Sequence, residues 1–230
     1  MRNKLFQYAW QLAKRLSTRK TGSGLNLTDY KNRIIPQIRL ARMMGKISLI
    51  VIGDSNAENL NTISNMVQLG EGLSGISVNI GIGGTRVDQW VQFLESVDGL
   101  EVMQAIREDK PIVIVNIGGN NALQSRMEGL GNYFDRLIGL LPTAYGCLCP
   151  PIHLSYLATV AYVQSLKIAV SLVNAEINRV FKNRTIDLYT PFLSGDGEAY
   201  ITILQDAVHF SDSADKNMRI PLLRLAAGLK

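Results

Sequence analysis

Histidine and cysteine are scarce in this chain, with two of each in 230 residues. Cys147 and Cys149 stand one residue apart in a run that predicts a strand, so both should face one side and are badly placed to bridge each other. With no His or Cys cluster beside them they indicate neither a disulfide framework nor a metal site, and both are expected to be small buried residues. No uninterrupted apolar run reaches the roughly 20 residues of a membrane span, so no spanning helix is expected. Several nucleotide and hydrolase signatures are missing as well. A G-x-S-x-G elbow around Ser55 needs glycine where Ala57 stands, and no other serine supplies it. No G-K-[ST] ends a phosphate loop, and "GIGGTR" carries Arg86 where a dinucleotide fingerprint needs its third glycine.

What is present is an ordinary globular composition, 47% hydrophobic and 19% charged, with no repeat or low-complexity block. The length suits one α/β domain plus an extension. The net charge of +5 is unevenly spread: residues 1–46 hold eleven Lys and Arg against Asp29 alone, +10, which leaves −5 for the rest. A basic end on an acidic body argues against a nucleic-acid surface along the chain. It argues for an end that meets something anionic or folds back on its own domain.

Within that end, Leu5, Phe6, Ala9, Trp10, Leu12, Ala13 and Leu16 recur at helical spacing opposite Lys4, Lys14 and Arg15. This basic amphipathic helix, in residues 1–20, either docks on an anionic membrane surface or a partner, or covers part of the domain's own core. Lys14 and Arg15 interrupt the apolar run and no small-residue cleavage site follows, so a cleavable signal peptide fits poorly, although a transit peptide is permitted. A cytoplasmic or membrane-peripheral location is expected. The domain division expected is a basic extension over 1–45 and a compact domain over 46–230.

From residue 47 onward short aliphatic runs alternate with longer amphipathic ones, the mark of a parallel sheet covered on both faces. Strands are predicted at 47–52, 76–82, 112–117, 144–149 and 185–189, with helices near 58–69, 86–107, 122–141, 157–182 and 212–226. Five strands with intervening helices predict a flavodoxin-like, doubly wound parallel sheet in three layers. Its site forms beyond the carboxyl ends of the strands.

The residues after those ends are therefore informative: "GDSN" at 53–56, "GIGGTR" at 81–86, "IGGNNA" at 117–122 and, before the last helix, "DAVH" at 206–209. Of the two histidines, His209 has Asp206 three residues earlier, near enough for a carboxylate to orient an imidazole that takes a proton from serine. Each residue also has a plain reading. Ser55 and Asn120 could be helix N-caps, and Asp206 a turn former.

Taken in this order and at these distances, the four stretches resemble blocks I, II, III and V of the SGNH hydrolases, the GDSL esterase and lipase family. The resemblance spans about residues 47–212 and leaves the basic extension outside it. It implies Ser55 as nucleophile, His209 as general base and Asp206 as the residue that orients it. It also implies an oxyanion hole from the N–H of Ser55, the N–H of Gly84 and the side chain of Asn120. Gly81 and Gly83 compete with Gly84 for that role. Asn56 stands where many members have leucine, and Asn121 where block III often continues with aspartate.

The reaction implied is hydrolysis of a carboxylic ester through an acyl-enzyme, with no metal or organic cofactor. "GGTRVDQW" is similar to the helix start of the family's carbohydrate acetylesterases. Arg86 and Trp90 lie four apart on one helix face, where a guanidinium and an indole could hold a sugar; alternatively, Trp90 packs in the core and Arg86 pairs with an acid. The expected substrate is a small-molecule or glycan ester, bound with the help of Arg86, Trp90, Asn56 and Asn121. A lipase or lysophospholipase, an acyltransferase and a non-catalytic binding module on the same fold remain as alternatives.

Overall fold

The computed structural model of the chain describes residues 27–149, 160–188, 190–193 and 209–229. The amphipathic segment 1–20, His153 and Asp206 lie outside the described residues.

Five parallel strands form one sheet in the order β2-β1-β3-β4-β5. They are β1 (Ile47–Gly53), β2 (Ile76–Asn79), β3 (Ile112–Asn116), β4 (Tyr145–Cys147) and β5 (Thr185–Ile186). This is the doubly wound order that the alternation of aliphatic and amphipathic runs predicts, with its switch point between β1 and β3. The strands are shorter than their aliphatic runs, because residues such as Ile80 and Ile82 stay buried after the ladder has ended.

Period-two alternation divides the core between the two faces of the sheet. Ile50 and Ile52 of β1 join a large cluster, while Leu49 and Val51 join a smaller one. The large cluster is covered by α1 (Leu27–Met44), α4 (Val87–Glu95), α5 (Leu100–Asp109), α7 (Leu130–Leu140) and α8 (Val160–Phe181). The smaller is covered by α2 (Ser55–Asn59), α3 (Ile63–Leu69) and the last helical run, which comprises α9 (Asp212–Ala214), a π-helical turn (Asp215–Arg219) and α10 (Ile220–Ala226). The short helix α6 (Gly119–Leu123) follows β3.

Helix α1 revises the expected domain division. Tyr30, Ile34, Ile35, Ile38 and Ala41 are buried in the large cluster, so a boundary at residue 45 cuts through one core. Its outer face explains part of the basic excess. Lys31 pairs with Asp98, Arg33 with Glu58, Arg39 with Glu101, and Arg42 with Glu108. This stretch of the basic end folds back on the acidic body.

The two cysteines also differ from expectation. Both are buried and free, but β4 ends at Cys147, so the alternation does not carry to Cys149. Cys147 packs in the smaller cluster and Cys149 in the larger. Burial pushes the Cys147 thiol up to about 12.

Candidate active site

Strand β1 ends at a position only glycine fits. Gly53 has φ +155°, and a Cβ there would stand 1.9 Å from Asn116 O. The neighbouring chain is held by Asp54 N–H donating to Asn116 O at 3.0 Å. The helix cap is Asp54, not Ser55: the Asp54 carboxylate accepts from Asn56 N–H at 3.0 Å, and Ser55 is the first helical residue. Freed from capping, the Ser55 hydroxyl lies 2.8 Å from His209 Nε2. Residues 154 positions apart in the chain are thus in hydrogen-bond contact at the carboxyl end of the sheet.

Asp54 lies fully buried beside this pair. Burial pushes its carboxyl up to about 6, against the opposing pull of the Asn56 N–H and the charges of His209 and Arg219.

The loop after β2 is stapled to this corner. Ile82 N–H donates to Gly53 O at 2.9 Å, and Trp90 Nε1–H reaches Gly53 O at 3.2 Å and Thr85 Oγ1 at 3.0 Å. Among its three glycines the geometry discriminates. Gly81 N–H donates to Asn79 Oδ1 at 2.9 Å and Gly83 N–H to Glu58 Oε2 at 2.8 Å. A Cβ on Gly83 would lie 3.6 Å from Ser55 Cβ, which puts this loop against the serine. Gly84 remains, at φ +76°, with no bond to its N–H among the described residues.

Asn120 is not a cap either. The N-cap of α6 is Gly118, and Asn120 Nδ2 donates to Thr85 O at 3.1 Å, which ties the loop after β3 to the residue following Gly84.

The residues expected to hold a sugar fare differently. Trp90 is fully buried, edge-on to Tyr30 at 5.4 Å and to Phe93 at 6.1 Å, and cannot stack on a ligand. Asn121 is buried and structural: its Oδ1 accepts from Val87 N–H, and its Nδ2 donates to Arg126 O and Asp88. Asn56 is buried too, and its carbonyl accepts from Arg219 Nη2 at 3.0 Å. Arg86 pairs with Asp88 and donates to Gln124 Oε1 at 2.8 Å, and Gln124 in turn donates to Gly84 O. Arg86 also lines a groove of about 450 Å³ with Asp88, Arg126, Glu128, Tyr133 and Arg136.

Three residues that hold the site did not stand out in the sequence. Glu58 accepts from both Gly83 N–H and Arg33, Asn79 donates to Ala57 O at 2.6 Å, and Arg219 reaches Asn56. Glu58 lies one turn after Ser55, and that spacing was the available signal. Nothing local marks Arg219. Among the described residues no group of three or more His, Cys, Asp and Glu is placed to hold a metal, and no helix is long and apolar enough to cross a membrane.

No family model and no curated protein sequence matches the chain. Solved structures do. A candidate acylhydrolase from Bacteroides fragilis is 16% identical, with a TM-score of 0.55 over 85% of this chain and 95% of that one. A candidate SGNH hydrolase from Slackia heliotrinireducens is also 16% identical, with a TM-score of 0.53 over 81% and 100%. A catalytic mutant of the acetylxylan esterase Axe2 from Geobacillus stearothermophilus is 19% identical, with a TM-score of 0.52 over 80% and 97%. The likeness is one of architecture, and the chain has the α/β fold of the SGNH hydrolase structures.

Proposed function

We propose that the chain is an SGNH-type serine ester hydrolase acting on short acyl groups carried by a polar alcohol such as a carbohydrate. The observation that carries this reading is the 2.8 Å contact between Ser55 Oγ and His209 Nε2. That distance is what a general base needs to take the serine proton as Oγ attacks an ester carbonyl.

In the proposed sequence the carbonyl oxygen becomes negative and is met by the N–H groups of Ser55 and Gly84 and by Asn120 Nδ2. Nε2 then protonates the leaving alcohol. Water, deprotonated by the same nitrogen, attacks the acyl-serine and releases the acid. In this reading Asp206, three residues earlier in the chain, is the carboxylate that orients the His209 ring. No step calls for a metal or cofactor.

Two observations support the polar alcohol. The groove beside Arg86 is lined mostly by charged side chains, with Asn132 and Tyr133 beside them, and Gln124 links Arg86 to Gly84. A shared fold with an acetylxylan esterase points the same way. The test compares p-nitrophenyl acetate, butyrate and octanoate, with acetylated xylan as the glycan substrate. The expected result is a kcat/KM that is highest for acetate, with acetate released from the glycan. A kcat/KM rising with chain length, with none of the glycan hydrolysed, contradicts the substrate class and favours a lipase.

A further inference from the structure

We propose that Arg219 is a positioning residue: with Asp215 it forms a buried clamp that holds the His209 segment against the Ser55 helix. The proposal rests on the ester-hydrolase reading of that pair. Arg219 and Asp215 are joined at 2.6 Å and are almost wholly excluded from solvent, at 0% and 1% side-chain exposure. Among the described residues the guanidinium meets Asp215, Asn56 and Phe210, and the last two are neighbours of Ser55 and His209. Arg219 Nη2 donates to the carbonyl of Asn56, which follows Ser55, at 3.0 Å. Its plane lies over the ring of Phe210, which follows His209, at 4.5 Å. Nη1 takes the Asp215 carboxylate.

One planar group therefore touches the residue after the nucleophile and the residue after the base, with a carboxylate holding it in place. The π-helical turn Asp215–Arg219 is where the chain supplies both partners; such turns occur mostly as single turns within α-helices and are frequent at functional sites. Stability is a poor explanation for this arrangement. Asp215 Oδ2 and Arg219 Nε have no hydrogen-bond partner among the described residues, and a buried ion pair can often be replaced by apolar side chains without loss of stability. What apolar side chains would lack is the bond to Asn56 O.

The test uses the full chain and two changes: the double variant Asp215→Leu with Arg219→Met, which leaves no orphaned charge, and Arg219→Lys, which keeps the charge but loses the fork. The His209 ring signal in the NMR spectrum, assigned by its loss in His209→Gln, is compared with and without Ser55→Ala. In the parent, Ser55→Ala displaces that signal. In the clamp-less background the displacement should fall by half or more, and kcat on p-nitrophenyl acetate should fall roughly ten-fold or more with KM within about two-fold. An undiminished Ser55 effect in folded clamp variants overturns the proposal whatever the activity. Failure of both variants to fold also overturns it, by assigning the pair to the fold alone. A parent with no esterase activity sinks the hydrolase reading while the NMR comparison still decides the clamp. A parent in which Ser55→Ala leaves His209 unmoved removes the contact on which both stand.

Discussion

The two faces of the sheet deal with charge in opposite ways. On the face covered by α1, α4, α5, α7 and α8 a large aromatic and aliphatic core is fringed at its surface by ion pairs such as Arg39 with Glu101 and Arg136 with Glu95. On the other face a smaller cluster encloses one ion pair, Asp215 with Arg219, out of contact with water. Those that start from α1, such as Arg39 with Glu101 and Arg42 with Glu108, offset part of that helix's positive charge, and the surface pairs touch neither Ser55 nor His209. The buried pair contacts the residue after each. Burial of a charge, more than the number of charges, marks where geometry is being held.

That contrast can be broken or sharpened by substitution. Trp90→Ala empties the centre of the large cluster and removes the bonds to Gly53 O and Thr85, so a loss of about 3–5 kcal/mol is expected in urea unfolding. Asn120→Ala acts on the site and spares the core: kcat should fall on the order of 10²- to 10³-fold, with the melting temperature near that of the parent.

Asp54→Asn tests the buried carboxylate. In the fold its carboxyl is raised from an ordinary 3.8 to about 6, so between those values the folded chain holds more protons than the unfolded chain. Stability from this group is present below about pH 4 and is lost as pH rises through about 6. The variant should match the parent near pH 4 and exceed it by up to about 3 kcal/mol at pH 7.5, read from denaturation midpoints at the two pH values. Arg39→Ala removes an exposed ion pair of the other face, and its thermal melt should overlay the parent's.

Much of this was legible in sequence because it depends on local pattern. Aliphatic runs such as 47–52 and 112–117 announced buried parallel strands, and the polar residues after them pointed to the candidate site. The errors came where a side chain has two good environments. Trp90 on a helix face beside a glycine loop serves a ligand or a core equally well by spacing. Tyr30 and Phe93 close around it, but they come from α1 and from one turn further along α4, and only tertiary structure brings all three together. The cap of α2 followed the same logic. Both Asp54 and Ser55 suit an N-cap, and the backbone bond from Asp54 to Asn116 O, invisible in sequence, makes Asp54 the cap. Arg219 was out of reach for a different reason: a residue 164 positions after Ser55 carries no periodic signal that it will return to Asn56.

The central claim, that Ser55 is the nucleophile activated by His209, is tested most directly by hydrolysis of p-nitrophenyl acetate by Ser55→Ala beside the parent chain. Measurable turnover by the parent and a fall of about 10⁴-fold or more in the variant, with the fold intact by circular dichroism, is the expected result. Hydrolysis by Ser55→Ala at the parent's rate would contradict it.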